Sequence, residues 1–193
     1  MLIGILALQG AFALHQKKFS HLGIQTRLVV RPQELTGISG LVLPGGESSS
    51  MLKNANEELW NQLKEFSHSN PIWGICAGAI LMAKRVDNPV QRSLEIIDIS
   101  LKRNAYGSQS ESFVANLMFN LNSEFMSECI FIRAPKIIRI GQGVNVLAEY
   151  AGDPIIVEQN QHIATTFHPE LCGNLEFYEY FLQKVRGNSE LFC

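Results

Sequence analysis

The chain has 193 residues, of which 46% are hydrophobic and 18% charged, a composition that can bury a sizeable core and argues against intrinsic disorder. Sixteen basic and eighteen acidic residues leave a formal net charge of −2, without the basic excess typical of nucleic-acid-binding proteins. The charge balance therefore predicts no nucleic-acid partner. The longest charge-free stretch, residues 66–83, contains His, Asn, Pro and Gly, so the sequence also predicts no membrane span.

The first half of the chain alternates between apolar runs and amphipathic segments. Four apolar runs are typical of strands: 2–8, 24–30, 40–43 and 71–75. Three intervening segments are typical of helices: 12–22, 57–66 and 77–86. This alternation predicts right-handed crossovers and a parallel sheet with helices on both faces.

The second half is rich in short β-prone runs separated by turn signals. Six of them predict strands: 96–101, 113–119, 129–133, 144–149, 154–158 and 162–167. We expect antiparallel additions to the sheet here. A last helix is predicted from Leu175 to Val185, capped by Asn174 and stopped by Gly187. Residues 1–193 are predicted to form one domain, with 187–193 as a C-terminal tail.

The cysteines show no pattern of a metal site or a disulfide framework. They stand at Cys76, Cys129, Cys172 and Cys193, without Cys-x-x-Cys spacing and without a neighbouring His in a zinc pattern. We therefore expect free thiols, no metal, and a reducing, cytoplasmic location. The N-terminus also lacks the basic region and cleavage site of a signal peptide.

The stretch Gly74-Ile75-Cys76-Ala77-Gly78 carries the strongest chemical signal. An apolar strand runs into a Gly-x-Cys-x-Gly turn and a helix follows, which is the thiol version of a nucleophile elbow. The helix N-terminus favours the thiolate, and the N–H of Ala77 can face a developing oxyanion. The alternative is a buried structural cysteine between packing glycines.

A base for this nucleophile is predicted in Phe167-His168-Pro169-Glu170, which follows a predicted strand. Residues two apart on an extended chain face the same way, so Glu170 can orient the imidazole of His168. Alone, this pair is more typical of a surface ion pair, and it indicates a catalytic pair only together with the Cys76 turn. The other histidines, His15, His21, His68 and His162, lack a comparable context and are expected to be surface or structural residues.

A third candidate is the loop Pro44-Gly45-Gly46-Glu47 with the serines at 48–50, at the carboxyl end of a predicted parallel strand. Open α/β sheets bind ligands at this edge. The serines can cap a helix and leave N–H groups for an anion. An ordinary strand-to-helix loop remains the alternative, because the chain contains neither a Walker A nor a Gly-x-Gly-x-x-Gly motif.

Six segments in order carry a resemblance to a known family: Leu6-Ala7-Leu8-Gln9-Gly10-Ala11, Pro44-Gly45-Gly46-Glu47-Ser48, Gly74-Ile75-Cys76-Ala77-Gly78, Arg103-Asn104-Ala105-Tyr106-Gly107, Phe131-Ile132-Arg133-Ala134-Pro135 and Phe167-His168-Pro169-Glu170-Leu171. Over residues 2–186 the chain resembles the glutaminase subunits of pyridoxal 5'-phosphate synthase, a family of class I (triad) glutamine amidotransferases. The family usually has Thr at Ile75, Ser-Thr-Thr at 48–50 and Arg at Ser108.

The resemblance implies a three-layer, flavodoxin-like fold and hydrolysis of L-glutamine to glutamate and ammonia through a cysteine thioester, with the ammonia channelled to a synthase subunit. It implies no cofactor. The implied residues are a triad of Cys76, His168 and Glu170, oxyanion-hole amides at Gly46 and Ala77, substrate contacts at Gly46, Glu47, Ser48, Arg103, Ile132 and Arg133, and partner coupling at Gln9 and Gly10.

Two other functions stay open at the level of sequence. One is an amidotransferase of the same superfamily that serves a purine or histidine pathway. The other is a non-catalytic binding subunit or stress protein on the same fold, which the presence of Cys76, His168 and Glu170 argues against.

Overall fold

The computed structural model of the chain describes residues 1–103, 105 and 112–190. Ser108, Cys193 and three residues of the Arg-Asn-Ala-Tyr-Gly segment, Asn104, Tyr106 and Gly107, lie outside the described residues. Within the described part, no helix has both the length and the apolar character needed to cross a membrane.

The described residues form twelve strands and five α-helices. The strands are β1 (Leu2–Leu6), β2 (Gln25–Val29), β3 (Gly40–Leu43), β4 (Ile72–Ile75), β5 (Ala83–Asp87), β6 (Ile97–Lys102), β7 (Ser112–Asn120), β8 (Glu124–Ile132), β9 (Lys136–Ile140), β10 (Asn145–Tyr150), β11 (Asp153–Gln159) and β12 (His162–Thr165). The helices are α1 (Phe12–His21), α2 (Ser48–Asn54), α3 (Glu57–Ser69), α4 (Ala77–Met82) and α5 (Glu176–Glu190), with a 3₁₀ turn at Pro32–Leu35.

A seven-stranded sheet lies in the middle of the fold, in the order β10-β11-β12-β4-β3-β1-β2. The five strands from β12 to β2 are parallel, and β11 and β10 extend the sheet with antiparallel pairing. In the parallel pair of β12 and β4, Thr165 stands opposite Ile75. The predicted, mostly parallel sheet with antiparallel additions is confirmed.

The remaining β-rich runs do not join this sheet, contrary to expectation. Strands β7 and β8 form a separate antiparallel ribbon, and β5, β6 and β9 form a small sheet of their own. The ribbon is explained by its alternating pattern, since Phe119 and Phe131 are buried while Val114 and Met118 on the opposite face are exposed.

Alternate residues of the central strands enter two separate cores. In β3, Leu41 and Leu43 belong to a core shared with α2, α3, α4 and the small sheet, whereas Val42 belongs to a core shared with α1, α5 and the ribbon. The period of two is that of an extended strand buried on both faces. The sheet is therefore the middle of three layers.

The predicted helix at 77–86 is wrong in its second half, because α4 ends at Met82 and β5 begins at Ala83. The carbonyls of Leu81 and Met82 accept hydrogen bonds of 2.7 and 2.8 Å from the N–H groups of Leu94 and Ile96. These tertiary partners take the place of the next helical turn. Strand β9 and helix α2 are not predicted by the sequence patterns.

Helix α5 continues through Gly187, where its end was predicted, to Glu190. A glycine inside a helix costs only about 1 kcal/mol relative to alanine, so tertiary contacts can override it. One such contact is a 2.7 Å hydrogen bond from the Asn188 side chain to the carbonyl of Ser69. The predicted cap, Asn174, instead donates its side-chain amide to the carbonyl of Met126.

Candidate active site

Cys76 lies in the tight turn between β4 and α4 and has an unusual backbone, with φ 49° and ψ −100°. Positive φ is strained for a residue with a Cβ and is found at functional turns. The turn is held by a 2.7 Å hydrogen bond from its N–H to the carbonyl of Thr165 on β12. The carbonyl of Cys76 accepts a hydrogen bond from the N–H of Ile80, and this bond is the first of α4.

The glycines that flank this turn have no room for side chains. A Cβ on Gly78 would overlap the carbonyl oxygen of Leu43, and a Cβ on Gly74 would lie 2.6 Å from the carbonyl oxygen of Gly78. The Gly-x-Cys-x-Gly pattern therefore follows from main-chain crowding beneath Cys76. Because Ala77 is the first residue of α4, its N–H has no acceptor within the helix.

His168 and Glu170 meet through a turn, not through an extended segment as the spacing suggested. Strand β12 ends at Thr165, and the N–H of Leu171 bonds back to the carbonyl of His168 at 3.1 Å. Within this turn, Nδ1 of His168 lies 2.7 Å from Oε1 of Glu170. The backbone N–H of His168 donates a 2.9 Å hydrogen bond to the carbonyl of Ile130 on β8, and this bond fixes the position of the turn.

The electrostatics of this group favour a charged imidazole. Burial alone would lower the pKa of His168, but its hydrogen bonds to Cys76 and Glu170 raise the pKa to about 10. Burial would raise the pKa of Glu170, but the hydrogen bond from His168 and the nearby histidines lower it. At neutral pH, a protonated His168 therefore lies between the Cys76 sulfur and an ionised, buried Glu170.

A cavity of about 200 Å³ opens above Cys76 at the carboxyl edge of the parallel strands. Nine of the residues singled out in the sequence line it: Gln9, Gly46, Glu47, Ser48, Cys76, Arg103, Ile132, Arg133 and His168. Of the others, Glu170 is buried behind His168, Ala77 begins α4, and Gly10 packs under the loop at Gly45.

One side of the cavity holds a charged group built around Arg103. Its guanidinium bonds to Oε1 of Glu47 at 2.9 Å and to Oε1 of Gln91 at 2.7 Å. Gln91 also accepts from the Ser48 hydroxyl at 3.0 Å. Hydrogen bonds from Ser49 outweigh burial and, with Arg103, lower the pKa of Glu47. The cavity thus presents fixed groups of both signs.

Helix α2 is capped by Glu47 and not by a serine as the sequence suggested. Oε1 of Glu47 accepts from the Ser49 N–H at 3.1 Å and from the Ser49 hydroxyl at 2.6 Å. Ser48 is already inside the helix, where its hydroxyl serves Gln91. The carboxylate cap holds Glu47 at the rim of the cavity.

The loop after β1 supports the loop after β3. The side chain of Gln9 accepts a 2.6 Å hydrogen bond from the Glu47 N–H, and the Ala11 N–H donates to the carbonyl of Gly45 at 3.0 Å. Gly10 has φ +107°, and a Cβ there would overlap that carbonyl. In a trans peptide the N–H points away from the carbonyl, so this contact orients the N–H of Gly46.

Sequence reasoning missed residues around the cavity that have no local motif. Ile80 lines it, and Gln91 bridges Ser48 and Arg103 from a segment without secondary structure. His15, assigned no role, is fully buried behind Glu170. A signal for His15 existed, because it falls on the same helical stripe as Phe12 and Phe19.

A protein-family model described as "SNO glutamine amidotransferase family" matches residues 5–187. A pyridoxal 5'-phosphate synthase subunit PdxT from Koribacter versatilis is 45% identical over 190 residues, which cover 98% of each chain. A relative with the same description from Thermotoga neapolitana is 39% identical, covering 96% of this chain and all of its own.

Solved structures agree with this likeness. A crystal structure of a glutamine amidotransferase superposes with a TM-score of 0.88 at 37% identity, covering 95% of this chain and 98% of that one. PurLQS from Thermotoga maritima superposes with a TM-score of 0.69, covering 94% and 97%, but at 14% identity this likeness concerns the fold alone.

Proposed function

This chain belongs to the SNO glutamine amidotransferase family, and we propose that it hydrolyses L-glutamine to L-glutamate and ammonia as the glutaminase subunit of a pyridoxal 5'-phosphate synthase. The family match spans residues 5–187, and the relatives that carry this description match over nearly their full length. The site supplies the groups that such a reaction needs.

In the proposed reaction, Cys76 is the nucleophile and His168 the base. His168 holds the proton that the Cys76 thiol gives up, and the sulfur attacks the side-chain amide carbon of glutamine. The carbon–nitrogen bond then breaks as His168 returns a proton to the leaving ammonia, which leaves a glutamyl thioester. Water, deprotonated by His168, attacks the thioester, and glutamate and the Cys76 thiol are released. Glu170 orients the imidazole and stabilises its charge.

The oxyanion formed on the amide carbon needs donors that are already in place. The proposed donors are the N–H groups of Gly46 and Ala77. Ala77 is supported by its position at the start of α4, and Gly46 by its place in the cavity wall. Donors of this kind lower the barrier because they require no rearrangement when charge develops.

Recognition of glutamine is assigned to the charged wall of the cavity. Arg103 and Arg133 suit the α-carboxylate, and Glu47 suits the α-ammonium. The three hydrogen bonds that Glu47 accepts from Ser49 and Arg103 all end on Oε1. Its second carboxylate oxygen is thus the proposed contact for the ammonium group. Ser48 and Ile132 complete the proposed substrate contacts.

The ammonia would pass without release to a synthase subunit in a hetero-oligomeric complex. The descriptions of the relatives support this, since each is named as one subunit of a synthase. Gln9 and Gly10 are the proposed points at which the partner acts, because they contact the loop that carries Gly46. A cytoplasmic location is part of the same proposal, supported by the free thiols of Cys76, Cys129 and Cys172.

The observation that carries the proposal is the short His168–Glu170 hydrogen bond beside Cys76, in a cavity that presents Glu47 and Arg103. The test is ammonia release from L-glutamine, measured alone and with the synthase subunit, for the wild type and for Cys76→Ser. We expect glutamate and ammonia in equal amounts from the wild type and none from Cys76→Ser. Equal rates from both proteins would refute the proposal.

A further inference from the structure

His15 lies entirely inside the protein, on the side of Glu170 that faces away from the cavity. It projects from α1 into the layer where Trp73 and Tyr178 also pack. Its exposed fraction is 0%. Nδ1 of His15 lies 2.7 Å from the Tyr178 hydroxyl, and Nε2 lies 3.7 Å from Oε2 of Glu170. Its two ring nitrogens therefore face two different polar groups.

The buried ends of Glu170 and His15 complement each other. Oε1 of Glu170 is used by His168, whereas Oε2 is buried without a hydrogen-bond partner. Nε2 of His15 is also buried without a partner, and it is the atom that faces Oε2. A buried carboxylate oxygen that lacks a donor is costly, and a movement of less than about 1 Å would bring the two atoms into hydrogen-bond range.

The position of the proton on His15 follows from its neighbours. Burial lowers the pKa of His15 to about 4, so at neutral pH the ring carries one proton. Burial also raises the pKa of Tyr178, which keeps its hydroxyl protonated and able to donate to Nδ1. With Nδ1 accepting, the proton is on Nε2 and its N–H faces Glu170. The other tautomer would set a lone pair against the carboxylate.

We propose that His15 and Tyr178 are positioning residues for Glu170: the Tyr178 hydroxyl fixes the tautomer of His15, whose Nε2–H holds the carboxylate in the orientation that His168 requires. This inference rests on the proposed function of His168 as the base. It extends the triad by two groups that never touch substrate. Outer-shell partners that orient metal ligands change affinity or activity by about 10–100-fold when they are removed, and we expect an effect of that order for these two residues.

The competing explanation is that His15 only fills space. Its ring stands at 66° to that of Trp73, with centroids 6.5 Å apart, and at 45° to that of Tyr178. An aromatic ring without nitrogen would preserve such packing, whereas Gln would lose the ring but keep a donor near the position of Nε2. His15→Phe and His15→Gln therefore separate packing from hydrogen bonding, and Tyr178→Phe removes only the hydroxyl.

The experiment measures kcat and KM for ammonia release by the full chain with its synthase partner. We expect His15→Phe to lower kcat about 10–100-fold with KM changed less than about threefold. His15→Gln should recover most of the loss, and Tyr178→Phe should lower kcat about three- to tenfold. His162→Asn is the matched control, because His162 is buried but bonds to the Ile72 N–H at the opposite end of β12. Wild-type kcat in both His15→Phe and Tyr178→Phe, or His15→Gln no better than His15→Phe, would overturn the inference.

A second readout does not depend on turnover. In protein with ¹⁵N-labelled histidine, the Nδ1–H of His168 should give a low-field proton signal because it bonds to a buried carboxylate. This signal should move in His15→Phe and Tyr178→Phe and stay in place in His162→Asn. A wild type without glutaminase activity would refute the proposed function, while the NMR signal would still decide on the positioning role. An unchanged signal in His15→Phe would refute that role.

Discussion

Nδ1 of His168 and Oε1 of Glu170 lie 2.7 Å apart, although the residues belong to a turn and not to a strand. The side chain of Glu170 is 0% exposed, so solvent cannot replace this contact. A buried carboxylate that bonds to one ring nitrogen directs the other nitrogen outward. In this protein that direction is toward the cavity that Cys76 also lines, and Cys76 together with Glu170 raises the pKa of His168.

Glu170→Gln should lower kcat by on the order of 10²–10⁴-fold while KM changes less than about threefold, because the amide keeps the shape but supplies neither the charge nor the correct tautomer. Steady-state ammonia release with the partner present measures both constants. Glu58→Gln, an exposed residue on α3, is the control and should behave as the wild type. A Glu170→Gln enzyme with normal kcat would exclude Glu170 from the triad.

Cys76 should be the cysteine that a chloromethyl ketone analogue of glutamine alkylates. It lines the cavity beside His168, whereas Cys129 and Cys172 are buried in the core at 0% and 3% exposure. Peptide mass spectrometry after brief labelling identifies the modified residue, and excess glutamine should protect it. Labelling mainly at Cys129 or Cys172 would contradict the assignment of the nucleophile.

Arg103→Ala and Arg133→Ala should raise KM by about 10–100-fold and change kcat far less, because a hydrogen bond to a charged group contributes about 1.5–3 kcal/mol to binding. Kinetics at varied glutamine concentration give both constants. Arg139→Ala, which removes a surface residue paired with Asp98, is the matched control. Unchanged KM values in both cavity variants would refute their role in substrate binding.

The isolated chain should be a poor glutaminase that its synthase partner activates. The loop at Gly45 and Gly46 is a suitable control point, because loss of one oxyanion donor costs about 10²–10³-fold in turnover. Titration of the partner at saturating glutamine should therefore raise kcat by that order. Gln9→Leu, which cannot accept from the Glu47 N–H, should blunt the rise without preventing assembly. Full glutaminase activity without the partner would contradict the prediction that the partner activates this chain.

Stability should fall between pH 7 and pH 5 because two histidines are buried in their neutral form. Burial lowers the pKa of both His15 and His162 to about 4. The contribution of the two neutral histidines to the free energy of unfolding is complete above pH 6.5, the pKa of histidine in the unfolded chain. It is lost as the pH falls toward 4, because over that range these histidines take up protons only in the unfolded chain. At pH 5 the loss is about 2 kcal/mol for each histidine.

Urea unfolding at pH 7 and pH 5 measures this loss. In His162→Asn, whose side-chain oxygen can still accept from the Ile72 N–H, the fall should be smaller than in the wild type by about 2 kcal/mol. The raised pKa of His168 opposes the fall by less than about 1 kcal/mol in both proteins, because its contribution to stability becomes complete only below the unfolded value near 6.5. A fall of the same size in the wild type and His162→Asn would show that other groups cause it.

The parts of the site that depend on local geometry could be predicted from the sequence. The Gly-x-Cys-x-Gly elbow and the His-Pro-Glu segment each lie within a few residues, and their positions follow from the strands that precede them. The partners of Gln91 and His15 could not be predicted, because they come from tertiary packing: Gln91 reaches Arg103, and Tyr178 lies 163 residues from His15.

The ends of the strands and helices show the same difference between features set by local sequence and features set by tertiary contacts. The parallel strands were predicted closely, because their apolar runs are bounded by Pro and Gly. The end of α4 at Met82 was not, since residues 83–86 have no helix-breaking residue and are drawn into β5 by pairing with β6. The separate ribbon of β7 and β8 was also missed, because an alternating strand does not indicate which neighbour it pairs with.

The pairing of Ile75 with Thr165 places Cys76 and His168 one and three residues beyond a shared rung of the sheet. Hydrogen-bonded strands lie about 4.8 Å apart whatever side chains they carry, so backbone pairing sets the spacing between the segments that carry Cys76 and His168. Substitutions that repack the core would leave this strand spacing unchanged. A single residue inserted in β4 or β12 would shift the register and reverse the side-chain faces beyond it. Deletions and insertions, more than core substitutions, are therefore the changes that these two strands cannot tolerate.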